Sequence, residues 1–93
     1  MTIENILKNI IDLCEQFSAD CVILFGSRAK GTNTERSDID IAVKGVKNIW
    51  ELQEKLEEIP TLYKIDLVDL DSCKNQLLME DIEQYGREIY KKI

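Results

Sequence analysis

The hydrophobic residues of this chain recur at two different spacings, which separate the predicted helices from the predicted strands. Apolar residues three and four positions apart form one stripe near the start of the chain, and they predict an amphipathic helix over residues 3–18 with Thr2 as its N-cap. The same periodicity predicts a second helix that begins near Ile49 and is ended by Pro60. A final helix is predicted by four residues at this spacing: Leu78, Ile82, Tyr85 and Ile89.

Three shorter segments are typical of β-strands. The run "CVILF", residues 21–25, is continuously apolar, as in a strand that is buried on both faces. The run "DIDIAV", residues 38–43, alternates charged and apolar residues, which predicts one polar and one buried face. The run "LYKIDLVDL", residues 62–70, predicts the third strand. This order of elements predicts a single domain over residues 1–93 of the α/β (α+β) class, with helices packed on one side of a small mixed sheet.

Charge and composition limit the binding partners and the cellular compartment that we expect for this protein. The net charge is −6 and the pI is about 4.6, whereas nucleic-acid-binding domains normally present a basic face to the phosphates. A basic protein partner, or a substrate that brings its own metal ions, fits this charge better. No run approaches the ~20 apolar residues that span a bilayer, and the three cysteines lack the spacing of a zinc site or a disulfide framework. We therefore expect a cytoplasmic protein with reduced thiols and with no direct nucleic-acid or membrane partner.

Two aspartates at the start of the second strand are the first candidates for chemistry. Side chains alternate along a strand, so Asp38 and Asp40 project from the same face while Ile39 and Ile41 point into the core. Two carboxylates about 6–7 Å apart repel each other, and a divalent cation such as Mg²⁺ removes that repulsion. The alternative explanation is an exposed strand face in an acidic protein.

The residues upstream of this pair favour the metal site. Gly26 and Ser27 end the buried strand, and a glycine there allows a phosphate to approach the backbone and the hydroxyl closely. Ten residues separate Ser27 from Asp38, and the whole G-S-x10-D-x-D pattern arises by chance on the order of once in a thousand chains of this length.

A third carboxylate is predicted from the strand at residues 62–70. Asp66 lies in the middle of an apolar run, where a charge is costly unless it is paired or bound to a metal. Asp69 competes for this role, but it has the opposite parity and lies nearer the strand end, so we interpret it as a turn or cap residue. Asp71 is interpreted as a cap for the segment that follows.

The segments "GSRAKGTNTERSDIDIAV" and "KIDLVDL" together resemble the minimal nucleotidyltransferase (MNT) domain of the DNA polymerase β-like nucleotidyltransferase superfamily. The C-terminal segment "LLMEDIEQYGREIYKKI" resembles the helix with which these small proteins usually finish. The resemblance covers nearly the whole chain and implies the polymerase β-like nucleotidyltransferase fold.

The resemblance also implies a chemistry. Asp38 and Asp40 would hold two Mg²⁺ ions, and Asp66 would complete the metal site and accept the proton of the attacking hydroxyl. Gly26 and Ser27 would bind the phosphates of ATP, with Arg28 as a third nucleotide-binding residue. Lys30 and Arg36 are interpreted as solvated loop charges.

Small MNT proteins are typically paired with a helical partner called HEPN, an RNase toxin, for which the MNT protein is the antitoxin. The resemblance therefore implies transfer of AMP from ATP to a tyrosine of such a toxin. Two alternatives stay open: an antitoxin that neutralises its partner by binding alone, and a nucleotidyltransferase that modifies a small-molecule hydroxyl. The apolar helix faces of so small a domain are also compatible with a homodimer.

Overall fold

Helices and strands alternate along the chain in the computed structural model, which describes residues 2–93. The elements are α1 Ile3–Gln16, β1 Cys21–Phe25, α2 Ser27–Lys30, β2 Ile39–Lys44, α3 Ile49–Glu57, β3 Ile65–Asp69, α4 Gln76–Tyr85 and β4 Arg87–Lys91. The six predicted elements are present, and α2 and β4 are additional.

The four strands form one mixed sheet in the order β3-β2-β1-β4. β1 is antiparallel to both β2 and β4, whereas β2 and β3 are parallel. A parallel pair needs a crossover connection between its strands, and α3 supplies it. The predicted class, a small mixed sheet with helices packed on it, is confirmed.

Side-chain caps begin the longer helices where the sequence pattern indicated. The Thr2 hydroxyl accepts a hydrogen bond of 3.1 Å from the backbone N–H of Asn5, which confirms the predicted N-cap of α1. Asn48 and Asn75 accept the equivalent bonds at the starts of α3 and α4. The helix α3 ends at Glu57, shortly before Pro60.

One face of the sheet is covered by α1 and α3. Every second residue of β1 and β2 points to this face, where it meets the apolar stripes of both helices. The buried residues of these four elements are Ile6, Ile10, Cys14, Val22, Leu24, Ile39, Ile41, Val43, Leu52 and Leu56. This is the main hydrophobic core.

The opposite face is covered by α4, so the expectation that the helices lie on one side of the sheet is wrong. Phe25 and Ala42 point to this second face and are buried against Ile82 of α4, with Ile23 and Val68 packed around them. The continuous run of β1 had indicated burial on both faces, and a strand buried on both faces needs a cover on each of them.

The prediction that the final helix continues to Ile89 is also wrong. α4 ends at Tyr85, Gly86 takes an extended conformation, and Arg87–Lys91 form the strand β4. β4 pairs with β1, and Ile89 and Tyr90 pack against the main core. The helical spacing of Ile89 with Tyr85 is therefore coincidental. The chain leaves the helix at Gly86, and β4 adds a strand to the sheet next to β1.

Across residues 2–93, none of the helices combines the length and the apolar composition that a bilayer crossing requires.

Candidate active site

Asp40 lies at the centre of the candidate site. It is on β2, on the α4 face of the sheet, in register with Phe25 of β1 and with Asp66 of β3. Adjacent strands are about 4.8 Å apart, so the two carboxyl groups meet, and a side-chain hydrogen bond joins them. The sequence left open whether the strand of Asp66 lies beside that of Asp40, and the parallel pairing of β2 with β3 answers it.

The environment of Asp40 disfavours its charge. Burial is the largest cause, followed by the negative charge of Asp66, the hydrogen bond to it and the charge of Asp38. The positive charge of Lys64 acts in the opposite direction but does not compensate. Together these effects raise the pKa of Asp40 from its ordinary 3.8 to about 6.

The Gly26–Ser27 turn lies directly against the carboxylate of Asp40. Gly26 has φ +74° and ψ −156°, a backbone conformation that side chains with a Cβ rarely adopt. A Cβ added at Gly26 would collide with the carboxylate of Asp40. The turn and Asp40, which are far apart in the sequence pattern, are therefore close together in space, and Ser27 begins α2 directly after Gly26.

Asp38 and Asp66 are the two other acidic residues whose charges act on Asp40. Asp38 is exposed and directly precedes β2, with the same strand parity as Asp40. Asp66 is 39% exposed, and one of its oxygens lies 3.5 Å from Nζ of Lys64. The three predicted aspartates thus occupy one end of one sheet face, although within residues 2–93 no three Cys, His, Asp or Glu side chains surround a common point as metal ligands do.

The donor chemistry at this end of the sheet fits a divalent cation. The touching carboxyl groups of Asp40 and Asp66 are hard oxygen donors, and their mutual repulsion is one cause of the raised pKa of Asp40. Mg²⁺ is commonly held by one or two carboxylates together with water and substrate phosphates. Two contacting carboxylates beside an open turn therefore match what this cation requires from a protein.

The two basic residues of α2 contact different parts of the molecule. The guanidinium group of Arg28 donates hydrogen bonds to the backbone oxygen of Ser37 and lies over the ring of Tyr63. Lys30, interpreted as a solvated charge, is instead 2.8 Å from a carboxylate oxygen of Asp81 on α4. Sequence reasoning missed Tyr63, since an aromatic residue next to a strand carries no signal of its own for this contact.

Asp69 and Asp71, the two other aspartates weighed in the sequence analysis, have structural roles. Asp69 accepts hydrogen bonds from the backbone N–H of Asp71 and from the hydroxyl of Ser72, which confirms its interpretation as a turn residue. The interpretation of Asp71 as a cap for the following segment is wrong. Its carboxylate accepts a bond of 2.7 Å from the backbone N–H of Gly45, and Asn75 caps α4.

Comparison with known proteins decides the family. Residues 8–93 match the family described as polymerase beta, nucleotidyltransferase. The chain belongs to this nucleotidyltransferase family. The family predicted from the G-S-x10-D-x-D pattern is confirmed.

Relatives of this nucleotidyltransferase carry names that specify a protein substrate. A protein of Methanocaldococcus jannaschii named "Putative protein adenylyltransferase" is 38% identical over 79 residues, which are 77% of this chain and 78% of that protein. Protein adenylyltransferase MntA of Shewanella oneidensis is 36% identical over 74 residues, which are 74% of this chain but 52% of MntA.

Solved structures show the same fold. A chain in a toxin–antitoxin crystal structure with AMP-PNP has a TM-score of 0.75 and 33% identity, and the match covers 98% of this nucleotidyltransferase and 75% of that chain. A chain in the crystal structure of the toxin–antitoxin MntA-HepT has a TM-score of 0.70 and 29% identity, covering 96% and 73% of the two chains.

Proposed function

We propose that this nucleotidyltransferase transfers AMP from ATP to a hydroxyl of a partner protein, a tyrosine of a HEPN-type RNase toxin, and thereby acts as its antitoxin. The observation that carries the proposal is the contact of Asp40 with both Asp66 and the Gly26–Ser27 turn at one end of the sheet. The names of the adenylyltransferase relatives and of the toxin–antitoxin structures support the choice of substrate and partner. We place the reaction in the cytoplasm, where ATP and reduced thiols are found.

The aspartates hold the metal ions. Asp38, Asp40 and Asp66 would hold two Mg²⁺ ions, whose positive charge would offset the repulsion that, together with burial, raises the pKa of Asp40. Held there, the ions would supply positive charge to the phosphates and would favour ionisation of the acceptor hydroxyl. The carboxylates themselves set where the nucleotide and the hydroxyl meet.

The turn holds the phosphates of ATP. Gly26 brings its backbone against Asp40 without a side chain in between, which leaves room for a phosphate beside the carboxylate. Ser27 contributes its backbone N–H and its hydroxyl as donors. Arg28 follows directly and contributes positive charge to the same turn.

The reaction is a displacement at the α-phosphorus of ATP. The tyrosine oxygen forms the new O–P bond, the bond between the α-phosphorus and the bridging oxygen breaks, and pyrophosphate leaves along the Gly26–Ser27 turn. The phenolic proton passes to the carboxylate of Asp66, which lies at the edge of the site away from the turn, and from there to solvent. Positioning and charge compensation supply most of the catalysis in such transfers.

The proposal is tested by label transfer. The purified protein is incubated with Mg²⁺, ATP labelled at the α-phosphate and a HEPN-type toxin, and the toxin is then analysed for label and for loss of RNase activity. We expect label on one tyrosine, dependence on Mg²⁺ and loss of RNase activity in step with labelling. ATP labelled at the γ-phosphate serves as the control and should leave the toxin unlabelled. An unlabelled toxin after incubation with the α-labelled nucleotide would refute the proposal.

A binding-only antitoxin is the second candidate, and the net charge of −6 favours it. An acidic surface can cover the basic groove of an RNase by charge complementarity. The two candidates separate in a single experiment without nucleotide. If the protein neutralises the toxin equally well in the absence of ATP, binding alone accounts for the function.

A further inference from the structure

Arg28 contacts two of the segments that deliver the aspartates. Its Nε and Nη2 atoms lie 3.2 and 2.9 Å from the backbone oxygen of Ser37, the residue before Asp38. Its guanidinium carbon lies 5.0 Å from the ring centroid of Tyr63, three residues before Asp66. Because Arg28 itself follows Ser27, one side chain joins the turn to the approaches of both aspartate strands.

The segment before Asp38 depends on this contact for its position. Residues 31–38 form no helix or strand, so no ladder of backbone hydrogen bonds holds them in the sheet. The segment closes on itself through the backbone N–H of Thr34, which donates to the Ser37 hydroxyl at 2.8 Å. Arg28 of α2 then holds this loop through Ser37, the second-to-last residue of the segment 31–38. Asp38 thus lies between two attached residues: Ser37, which Arg28 holds, and Ile39, whose backbone N–H donates to the backbone oxygen of Lys64 at 2.9 Å.

Both contacts require the shape of arginine. Two N–H groups on one edge of the planar guanidinium converge on the Ser37 oxygen, and the face of the same plane lies on the Tyr63 ring. A lysine ammonium keeps the charge but has neither a second parallel N–H in a fixed plane nor a flat face. Charge and geometry can therefore be separated by the substitution Arg28→Lys.

The neighbouring basic residue provides a contrast. Lys30 is paired with Asp81 and lies over the ring of Tyr85, both on α4, with its Nζ 5.0 Å from the ring centroid. Lys30 thus connects α2 to α4, whereas Arg28 connects α2 to the segments that precede Asp38 and Asp66. Loss of the Lys30 contacts should loosen α2 without moving Asp38 or Asp66.

We propose that Arg28 is a positioning residue, which sets the distance between the phosphate-binding turn and the metal-binding aspartates through the Ser37 carbonyl and the Tyr63 ring. This inference rests on the proposed function for the identity of the metal-binding residues. It assigns Arg28 a role that precedes nucleotide binding and does not depend on which molecule accepts the AMP.

The test is a Mn²⁺ titration followed by electron paramagnetic resonance, without nucleotide and without toxin. Groups that orient metal ligands typically change metal affinity by about 10- to 100-fold when they are removed, and we expect Arg28→Lys and Tyr63→Leu each to weaken Mn²⁺ binding roughly 10-fold. Tyr63→Phe keeps the ring and should bind Mn²⁺ like the wild type. Lys30→Met should also bind it like the wild type. The double variant Arg28→Lys/Tyr63→Leu should bind Mn²⁺ no more weakly than the worse single variant, because Arg28→Lys already removes the contact that Tyr63→Leu removes.

A second measurement excludes a purely structural or purely phosphate-binding role. The Kd for ATP at saturating Mn²⁺ should change less than about threefold in Tyr63→Leu, since metal excess restores the site. A direct phosphate contact by Arg28 predicts the reverse pattern, with unchanged Mn²⁺ affinity in both single variants and weaker ATP binding only in Arg28→Lys, and that pattern would overturn the inference. Circular dichroism melts verify that each variant is folded, and Tyr63→Leu carries the test if Arg28→Lys is not.

The result is separable from failure of the proposed function. Suppose that Arg28→Lys and Tyr63→Leu weaken Mn²⁺ binding as expected, but the wild-type protein labels no toxin. This result supports the role of Arg28 and refutes only the proposed transfer of AMP to the toxin. Absence of Mn²⁺ binding in the wild type overturns both.

Discussion

The two faces of the sheet differ most clearly along β2. On one face, this strand buries Ile39, Ile41 and Val43 against α1 and α3. On the other, it presents Asp40 beside Asp66 and the Gly26 turn, and only Ala42 is buried there against α4. The residues that form the main core and the residue that carries the site's central charge therefore lie on opposite faces of one strand, because successive side chains of a strand point to opposite faces.

A small domain can support a destabilising site when its hydrophobic stabilisation arises elsewhere. The α4 face holds three of the buried core residues among residues 2–93, whereas the α1/α3 face holds thirteen, so most of the hydrophobic stabilisation arises away from the aspartates. The repulsive contact between Asp40 and Asp66 is held in place by a strand whose opposite side is well packed. Changes on the two faces should consequently separate activity from stability.

The largest effect is expected from Asp40→Asn. The substitution keeps the size of the side chain but removes a negative charge that holds the metal ions, so label transfer should fall by at least about 1,000-fold, or about 4 kcal/mol in the barrier. Rates are measured with saturating ATP and Mg²⁺. Asp69→Asn is the matched control, because Asp69 serves a turn, and it should transfer at nearly the wild-type rate. Activity of Asp40→Asn within tenfold of the wild type would contradict this assignment.

On the opposite face of the same strand, Ile41→Ala should act on stability. Ile41 is fully buried in the main core, and removal of its side chain beyond Cβ should lower the free energy of unfolding by about 3 kcal/mol. Urea titration monitored by circular dichroism measures the change. Ile41→Val, which removes one methylene, should cost about 1 kcal/mol. A transfer rate per folded molecule that changes more than a few-fold in Ile41→Ala would show that the faces are not independent.

Gly26→Ala should affect both properties. The new Cβ meets the Asp40 carboxylate in a backbone conformation at φ +74°, so we expect a loss of about 2 kcal/mol in stability together with loss of label transfer. Gly31→Ala is the matched control, because Gly31 has φ +76° but no neighbouring atom within 4 Å of a Cβ. It should cost about 1 kcal/mol from the backbone conformation alone and keep its transfer activity.

The smallest effect is the pH dependence of stability in the metal-free protein. The pKa of Asp40 is about 6 in the folded state against an ordinary 3.8, so protonation favours folding, and ionisation of Asp40 opposes it. The free energy of unfolding should therefore fall as pH rises through the interval from about 4 to about 6 and stay lower above it. Because Asp40 is partly exposed and its charge is screened by solvent, we expect a step of only about 1 kcal/mol.

This step is measured by urea titrations in EDTA at several pH values. Asp40→Asn should remove the step and should be more stable than the metal-free wild type at pH 7, while Asp69→Asn should retain it. Addition of Mg²⁺ at pH 7 should stabilise the wild type and leave Asp40→Asn unchanged. A wild-type stability that rises from pH 4 to pH 6 would show that the environment of Asp40 does not disfavour its charge.

Part of the site could be predicted from the sequence because its signals are local. The period of two in a strand places Asp38 and Asp40 on one face, and a charge amid an apolar run singled out Asp66 over Asp69. The contact of Asp69 with its own turn confirms that distinction. The destination of Arg28 could not be predicted, because its partners Ser37 and Tyr63 lie nine and 35 positions further along the chain.

By itself, the sequence determined which segments form α1, β1, β2, α3 and β3, and it determined the G-S-x10-D-x-D pattern that identifies the family. Only the tertiary structure decided that residues 87–91 form a strand, that α4 covers the second face and that Asp66 meets Asp40. The physical reason is the range of the interactions involved. Periodicity and caps act within a few residues of one another, whereas β4 forms by pairing with β1, and Asp66 is positioned by the register of two parallel strands that are connected through α3.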